Sequence, residues 1–470
     1  MRLAACASVL APHEIELIHA AMLRIVSEVG MKVQNDTILA RLADMGGEVD
    51  RQAQVVRFAP DVVERFIADS HKADWTNVEP RVTASAGIFL GRYLDPETDK
   101  HVPWSAERLL TYAKVAHHLE HVGGASMLGC PVPGVPNEIH PLYQRYFCWR
   151  HGIRPGGSLW DIRLCPYIWE MCQAMAAGTG AAPESFFSGG VYLSAMLLLS
   201  RGEAEQFVYF AERGLPVSIG HMTSAGGSAP VTLAGAVAVH LAEAVFINII
   251  QRAFYGTQAL RLNCSIAALD MRSLMYAYGR PERQIANAIM ADMAKHYGAS
   301  FSGHSGHSDA KVPSAEAGAQ KALTSIPTLM AGGSVNISAG LLSVDEVFSP
   351  IQMIIDNEFV GALKRFARGC EITEETLAVE VTKQVGPGGV FMGTDHTVAH
   401  FRSEVWEPKV WSREMLASWL PQGAKTDVDR ARDIYHGILR QPDLPVQISD
   451  ETDRELRGIM DRALAAVPGT

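Results

Sequence analysis

The segment Ala299-Ser-Phe-Ser-Gly-His304-Ser-Gly-His307-Ser-Asp309-Ala-Lys311-Val-Pro313 gathers two imidazoles, a carboxylate, an ammonium and several hydroxyls in fifteen residues. An HxxH spacing with a nearby carboxylate suits zinc or iron. The same groups can orient a substrate through hydrogen bonds, or simply shape a polar loop. Cys264 precedes them on a predicted strand and reads either as a further ligand at the same mouth or as a core thiol. A second cluster runs from Leu215 to Pro230, a strand ending at His221 followed by a loop carrying Gly226-Gly227. Glycine has no side chain to hold a ligand off the backbone, so this loop suits close approach; it is equally an ordinary βα turn. It lacks the Gly-Lys-Ser/Thr ending of a phosphate loop. The third cluster, Gly386 to Thr397, offers Phe391 as a ring face for an alkylammonium and His396 as a carboxylate anchor, or it forms an irregular hairpin. The candidate substrate-binding residues are therefore His221, Gly226, Gly227, Cys264, His304, His307, Asp309, Phe391 and His396, with Tyr93 and Trp104 as further aromatic candidates. No Gly-x-Ser-x-Gly elbow, Gly-x-Gly-x-x-Gly fingerprint or His-Glu-x-x-His run occurs.

The elements around these clusters predict how they meet. From about residue 105 helical and strand patterns alternate, which implies α/β architecture with a parallel sheet. Predicted strands are Ser126–Val132, Gly157–Ile162, Phe186–Leu193, Leu215–His221, Gln258–Ile266, Ser300–His304 and Leu329–Ile337, with Val390–Gly393 as an eighth. Their number and spacing predict a TIM-type (β/α)8 barrel, whose strand C-terminal ends carry the active site. Residues 1–104 read as an N-terminal α+β extension, 105–400 as the barrel and 401–470 as a C-terminal helical wrap. In the extension, Ile15, Ile18, Met22, Ile25 and Val29 make an amphipathic helix stopped by Gly30. Asn35 and Asp61 are predicted helix caps, Asp95-Pro96-Glu97-Thr98 a turn, and Ser343-Val-Asp-Glu346 a capping box.

Composition narrows the function classes. Forty-one basic against 51 acidic residues give a net charge of −10, with no basic cluster, which disfavours nucleic acid as a partner. Seven cysteines without a CxxC pair read as reduced thiols of a cytoplasmic protein. The N-terminus does not resemble a signal peptide, and the apolar run Leu233–Ile250 carries His240, Glu243 and Asn248, so it reads as a buried helix rather than a membrane span. A charged fraction of only 20% is compatible with a homo-oligomer.

The order of motifs resembles the trimethylamine methyltransferase family over about Ile15 to Leu439. The resemblance rests on the Ser308-Asp-Ala-Lys311 loop and on Glu14-Ile-Glu16-Leu-Ile-His19, Val26-Ser-Glu28-Val-Gly30 and Tyr93-Leu-Asp95-Pro96-Glu97-Thr98. It continues through Ala229-Pro230-Val-Thr232-Leu-Ala-Gly235, Asp356-Asn357-Glu358, Gly388-Gly389-Val-Phe391, His396-Thr397 and Trp406-Glu-Pro408-Lys409. After the paired glycines the family commonly has histidine, where this chain has Val390. The resemblance implies a cytoplasmic methyltransferase that moves a methyl group from a methylated amine to the cobalt of a cognate corrinoid (cobalamin) protein; separately, His304, His307 and Asp309 lack a specific ligand signature, which predicts no bound transition metal. Members with pyrrolysine act on trimethylamine; others act on quaternary amines such as glycine betaine.

The leaving group favours the second kind of substrate. A quaternary ammonium departs as a neutral amine, whereas an unactivated tertiary amine would depart as an amide anion. Cobalt(I) is a strong nucleophile, so the protein mainly holds the methyl carbon in line. The sequence contains only standard residues, which predicts a betaine-type substrate such as glycine betaine or proline betaine. The alternatives are a zinc-dependent methyltransferase using the loop histidines and Cys264, and a non-catalytic betaine-binding or scaffold protein.

Overall fold

Residues 7–89, 91–127, 129 and 133–467 are described by a computed structural model. Eight parallel strands organise it: β1 (Val82–Ile88), β2 (Val122–Met127), β3 (Arg154–Pro155), β4 (Gly189–Tyr192), β5 (Val217–Gly220), β6 (Arg261–Cys264), β7 (Ser300–Gly303) and β8 (Ser334–Ser338). A helix follows each: α1 (Ala106–His117), α2 (His140–Arg150), α3 (Cys165–Thr179), α4 (Arg201–Ala211), α5 (Leu233–Tyr255), α6 (Pro281–Tyr297), α7 (Ala315–Met330) and α8 (Pro350–Arg368). The architecture is α/β, as the alternation predicts. Strands β6-β7-β8-β1-β2-β3 form one parallel sheet, and β4 pairs with β5. A parallel bridge, Ser158 to Gly190, joins β3 to β4. Beyond β5 and β6, Ser224 pairs with Ala267 and Ala225 with Ala268, again in parallel.

Two expectations need correction. Val390–Gly393 is a turn, not the eighth strand; with Gly386, Gly388, Gly389 and Gly393 around it, the run lacks a side-chain row to pair. The remaining strand is β1, which the sequence reading placed in the extension. Its register sets Val82 beside Val335 and Thr83 beside Asn336 on β8, and Ala84 beside Val122 on β2. Residues 81–104 read as strands around a turn, but with only small residues at Ala84, Ser85, Ala86 and Gly87 nothing marks this one as part of the parallel sheet. Elsewhere the strands fall inside or beside their predicted spans. The end of the predicted Ser126–Val132 strand, including Leu128 and Cys130–Val132, lies outside the described residues.

The N-terminal layer follows its sequence closely. The helix Pro12–Arg24 runs on as a wider turn, Ile25–Val29, and stops at Gly30, whose φ is +79°. A Cβ there would lie 2.5 Å from the Val56 carbonyl oxygen, so only glycine fits. Asn35 caps the next helix by accepting from Ile38 N at 3.1 Å. Asp61 does not cap: the helix opens with Pro60, and Asp61 lies in its first turn, paired with Arg65. Phe58 packs against Phe246 of α5, joining this layer to the parallel sheet's helices. By length and composition α5 is able to cross a membrane, but 72% of its apolar window is buried within the protein.

The tail is tied to α8 by the motif Asp356-Asn357-Glu358. Glu358 accepts from the backbone N–H groups of Lys409, Val410 and Trp411 at 2.7, 2.8 and 3.1 Å, and Asn357 accepts from His121 N at 2.8 Å. Two of the resembling motifs therefore meet as a structural clasp.

Candidate active site

Side chains alternate across a strand, so one row of each strand faces the cavities that the strands line. Thr83, Ser218, Asn263, Ser302 and Asn336 occupy that row and are solvent-accessible, while Val82, Val217, Leu262, Phe301 and Val335 between them are buried outward. The lumen is thus polar and wet, with small hydroxyls and amides where aliphatic layers usually fill such a space. Registers set Asn263 beside Ser302 and Ser302 beside Ser334. A cavity of about 300 Å3 opens at the strand C-terminal ends, between Tyr192, His221, Asn263, Ser302, His304 and Asn336. A second cavity of about 860 Å3 continues past His221 toward the strand starts.

His221 ends β5 within a buried network. Its Nδ1 lies 3.1 Å from Glu243 Oε2 of α5, and a carboxylate only accepts, so Nδ1 carries a proton. Its Nε2 lies 2.8 Å from the Asn263 side-chain amide in the lumen. With the amide oxygen toward it, both ring nitrogens donate and the ring is the cationic partner of Glu243; with the amide turned, Nε2 accepts. Beneath it His240 stacks parallel, 3.9 Å between centroids and 6° between planes. Complete burial pushes the His240 pKa well below its ordinary value, so the ring is neutral. His240 Nε2 donates to the Asn263 carbonyl at 3.1 Å, which leaves Nδ1 to accept from the Thr223 hydroxyl at 2.7 Å. Glu243 also accepts from Leu197 N at 3.1 Å.

His221, His240 and Glu243 offer ligand atoms within 4.8 Å of one another. A metal needs lone pairs converging on one point, and parallel stacked rings aim theirs along separate planes. Each donor atom is moreover already engaged. Metal analysis of the purified protein is therefore expected to find no stoichiometric zinc or iron. One equivalent per chain, lost together with His240→Ala, would overturn this.

The second wall is the loop after β7. Gly306 has φ +72°, and a Cβ there would lie 2.6 Å from Ile337 Cα of β8. This close seat brings His304 and His307 together, with Nε2 atoms 2.6 Å apart. The proton order follows from Arg283 of α6. Its guanidinium donates to His304 Nδ1, and its Nε donates to the His304 carbonyl at 3.1 Å. His304 Nδ1 therefore accepts, so in the neutral ring Nε2 carries the proton and donates to His307 Nε2. Burial, with Arg283 and Lys321 nearby, pushes the His307 pKa well below its ordinary value. His307 is consequently neutral with its proton on Nδ1, an atom buried without a protein partner among the described residues.

Tyr278 packs against both histidines, at 5.0 and 5.5 Å between centroids, with Arg283 4.4 Å over its ring. Asp309 positions it: the carboxylate accepts from Tyr278 N at 2.8 Å and Gly279 N at 3.0 Å. Lys311 donates to the Asp309 carbonyl at 2.6 Å, not to its carboxylate. Opposite stands Asp345, whose carboxyl burial pushes upward in pKa despite Arg283 and Lys321. It sits in a hairpin between Leu341–Leu342 and Val347–Phe348, where Ser343, Val344 and Asp345 have φ of 51°, 55° and 71°. Left-handed backbone is costly at β-branched Val344, a strain that concentrates at functional sites. The predicted capping box does form a contact, Ser343 Oγ to Glu346 at 3.0 Å, but it closes this hairpin; α8 starts later, capped by Ser349.

The structure thus brings His221, His304, His307 and Asp309 to one end of the sheet. Gly226 and Gly227 turn the loop behind His221, with Gly226 at φ +89°. Cys264 is among the residues lining the cavity of about 300 Å3, but it is buried, and burial pushes its thiol up to about 11, so it is a neutral group there. Phe391 and His396 are not among the described residues that line either cavity. They lie on an arm between Gly369 and Ser403, whose anchors, Arg365 and Arg368 to Glu404 and Ser403, sit at the end of α8. That end neighbours His121, just before β2 starts, on the side opposite the lumen mouth. Tyr93 and Trp104 pack with Phe348 and Tyr112 in a buried aromatic cluster. Sequence reasoning missed Tyr192, Glu243, Asn263, Tyr278, Arg283 and Asp345.

Residues 166–468 match the family described as trimethylamine methyltransferase (MTTB), and the chain belongs to that family of methyltransferases. The trimethylamine methyltransferase MttB of Desulfitobacterium hafniense (strain DSM 10664 / DCB-2) is 26% identical over 474 residues, covering 95% of this chain and 92% of that protein. A glycine betaine methyltransferase of Desulfitobacterium hafniense (strain Y51) is 28% identical over 253 residues, covering 53% of this chain and 52% of that protein. Among solved structures, the monomethylamine methyltransferase of Methanosarcina barkeri aligns with a TM-score of 0.47 and 12% identity, over 98% of this chain and 89% of that one.

Proposed function

We propose that this chain moves a methyl group from a zwitterionic quaternary amine, a betaine, to the cobalt of a separate corrinoid protein. The scaffold is read as a closed (β/α)8 barrel from β1 to α8, preceded by the N-terminal layer and followed by the arm and helical tail. The observation that carries the substrate class is the lining of the lumen cavity. The cavity of about 300 Å3 at the strand ends holds hydroxyls, amides, a thioether, a thiol and two imidazoles but neither a carboxylate nor a lysine or arginine among its described lining residues; Arg81 and Arg261 line the larger cavity behind it. A simple cation such as choline asks for an anionic wall. A betaine has no net charge and asks for donors at its carboxylate and a polarisable face at its ammonium. The substrate carboxylate takes the place of the Asn263 amide oxygen at His221 Nε2–H, whose ring Glu243 holds through Nδ1, with Ser302 beside it; Tyr192 supplies a ring at the mouth.

The corrinoid supplies the nucleophile, so the protein's task is to hold one N–methyl bond pointing out of the lumen. His304, fixed as the Nε2–H tautomer by Arg283, is a positioning group rather than a base. No general acid is needed for a neutral leaving amine. The rim carries exposed Met196, Met222, Met271 and Met275, on loops after β4, β5 and β6. Methionine adapts to a partner that must dock and leave, which suits a corrinoid protein shuttling between enzymes.

Glycine betaine, proline betaine, carnitine, choline and trimethylamine should be offered with free cob(I)alamin, following loss of the Co(I) absorbance. Turnover is expected with a zwitterionic quaternary amine. His221→Phe should raise its KM roughly 10- to 100-fold, the worth of one charge-assisted hydrogen bond of about 1.5–3 kcal/mol. Turnover of trimethylamine alone, or an unchanged KM in the variant, would overturn the reading.

A further inference from the structure

The larger lumen cavity, about 860 Å3, lies behind the His221 wall toward the strand starts. Its width has a backbone cause. β5 pairs with β4 and β6 with β7, but among the described residues β5 and β6 do not pair with each other. Side chains of α5 take up the backbone groups between them. Tyr255 Oη accepts from Val217 N at 3.1 Å, and Gln251 Nε2 donates to the Val217 carbonyl at 2.9 Å. Asn248 Oδ1 accepts from Arg261 N at 3.0 Å, and Asn248 Nδ2 donates to the Arg261 carbonyl at 2.8 Å. At Val217 and Arg261 the missing ladder is thus replaced bond for bond, so the strands stand apart without orphaned backbone groups there. Asn248, Gln251 and Tyr255 line the opening that results.

Two guanidinium groups line this floor of the lumen. Arg81 precedes β1 and Arg261 opens β6; β7 and β8 lie between these strands, so the two side chains enter from different walls. Neither guanidinium has a hydrogen-bond, ion-pair or ring partner among the described residues, and no carboxylate lines the cavity among them. In a chain with 51 acidic against 41 basic residues, that is the reverse of the overall balance. Hydroxyls stand beside both: Ser300 pairs with Arg261 on β7, and Ser334 Oγ accepts from Arg81 N at 3.1 Å. A guanidinium keeps its charge and offers a planar fork of N–H donors that matches a carboxylate. We infer that the floor of the lumen is a carboxylate site held by Arg81 and Arg261. Arg261 and Asn263 share one strand row two residues apart, so the floor lies about 6.6 Å behind the Asn263 amide. The carboxylate is either the tail of a betaine longer than glycine betaine, reaching past His221 while its ammonium stays at the mouth, or a separate small acid beneath the substrate. The first source rests on the betaine reading above; the site itself does not.

Full-length protein is treated with phenylglyoxal, which modifies accessible arginines, with and without glutarate, and the modified residues are read by mass spectrometry. Glutarate is expected to protect Arg81 and Arg261 but not Arg24, which is exposed at the end of the first helix. Calorimetric titration with glutarate should show affinity weakened roughly 10-fold or more in Arg81→Gln and in Arg261→Gln, the loss of one hydrogen bond to a charged group. Arg24→Gln should bind as wild type does. If a variant fails to fold by circular dichroism, the wild-type protection decides. Glycine betaine, carnitine and γ-trimethylaminobutyrate then separate the sources. Displacement of glutarate by the longer betaines identifies a substrate tail, joint binding identifies a separate acid, and either supports the site. No protection by glutarate, protection by inorganic phosphate but not by glutarate, or folded variants that bind as wild type does would each overturn it. Protection without turnover of any betaine would overturn the function proposed above while supporting the floor site.

Discussion

Replacing Lys321 with methionine is expected to destabilise the protein by about 3–5 kcal/mol, the usual loss when one partner of a buried ion pair is removed. Lys321 of α7 and Asp356 of α8 lie 2.7 Å apart with side chains 2% and 1% exposed. Lys321 also donates to the Ser338 carbonyl at 2.9 Å, and Asp356 accepts from Gly340 N and Gln352 Nε2, each at 2.8 Å. Methionine matches the length of the stem but leaves the carboxylate buried without its cation. Lys321→Met with Asp356→Leu should recover most of the loss, since removing both charges also removes their desolvation. Urea unfolding of the single and double variants measures this. A single variant that loses less than about 1 kcal/mol, the worth of an exposed pair, would show that the pair does not hold the fold. The site should suffer as well, because Ser338 at the end of β8 lies 3.5 Å from His307 Nε2.

The histidine loop was legible because chemistry and backbone freedom coincide there: two imidazoles flank Gly306, whose conformation only glycine takes easily. His221 was legible as the last polar residue of an apolar strand. The partners of both were hidden by distance along the chain. Glu243 and His240 lie three residues apart on one face of an otherwise apolar helix, a spacing that could have marked them as a buried pair but that the sequence reading uses only as evidence for a buried helix. Arg283 reads as an ordinary charge at a helix start, until α6 turns it inward under Tyr278.

The lumen carried a sequence signal of a different kind. Arg261-Leu-Asn263, Ser300-Phe-Ser302 and Ser334-Val-Asn336-Ile-Ser338 alternate polar and apolar with period two. In a helix-covered parallel sheet the apolar row faces the helices, so the polar row must face a wet interior. The arm shows the converse. Phe391 and His396 have the right chemistry for a betaine, but residue type says nothing about which end of the sheet a segment returns to. That is decided by Arg365 and Arg368 at the end of α8.

Stability is expected to fall steeply as the pH drops below 6.5. His240 and His307 are fully buried and neutral in the folded chain, each with a pKa well below the 6.5 that an unfolded chain shows. Below 6.5 the unfolded chain takes up two protons that the native protein refuses, so stability rises with pH and is lost as pH falls. Each group contributes about 1.4 kcal/mol per pH unit, together about 2.7 kcal/mol, until its folded pKa is reached. Asp345 acts in the opposite sense. Its raised pKa makes the folded chain bind a proton that the unfolded chain releases above 3.8, so its contribution is present below 3.8 and lost as pH rises through the folded value. His19, His121 and His151, partly buried and likewise lowered, act in the same sense as His240 and His307, so Asp345 leaves the net direction unchanged. Urea midpoints between about pH 7.5 and 5.5 should show the loss, and His240→Gln, which keeps a polar group in the stack, should cut the slope by about 1.4 kcal/mol per pH unit. A midpoint flat across this range would mean that both rings accept protons in the folded state. The tautomer chain from Arg283 through His304 to His307 would then not hold, because a protonated His307 has no lone pair to take the His304 proton.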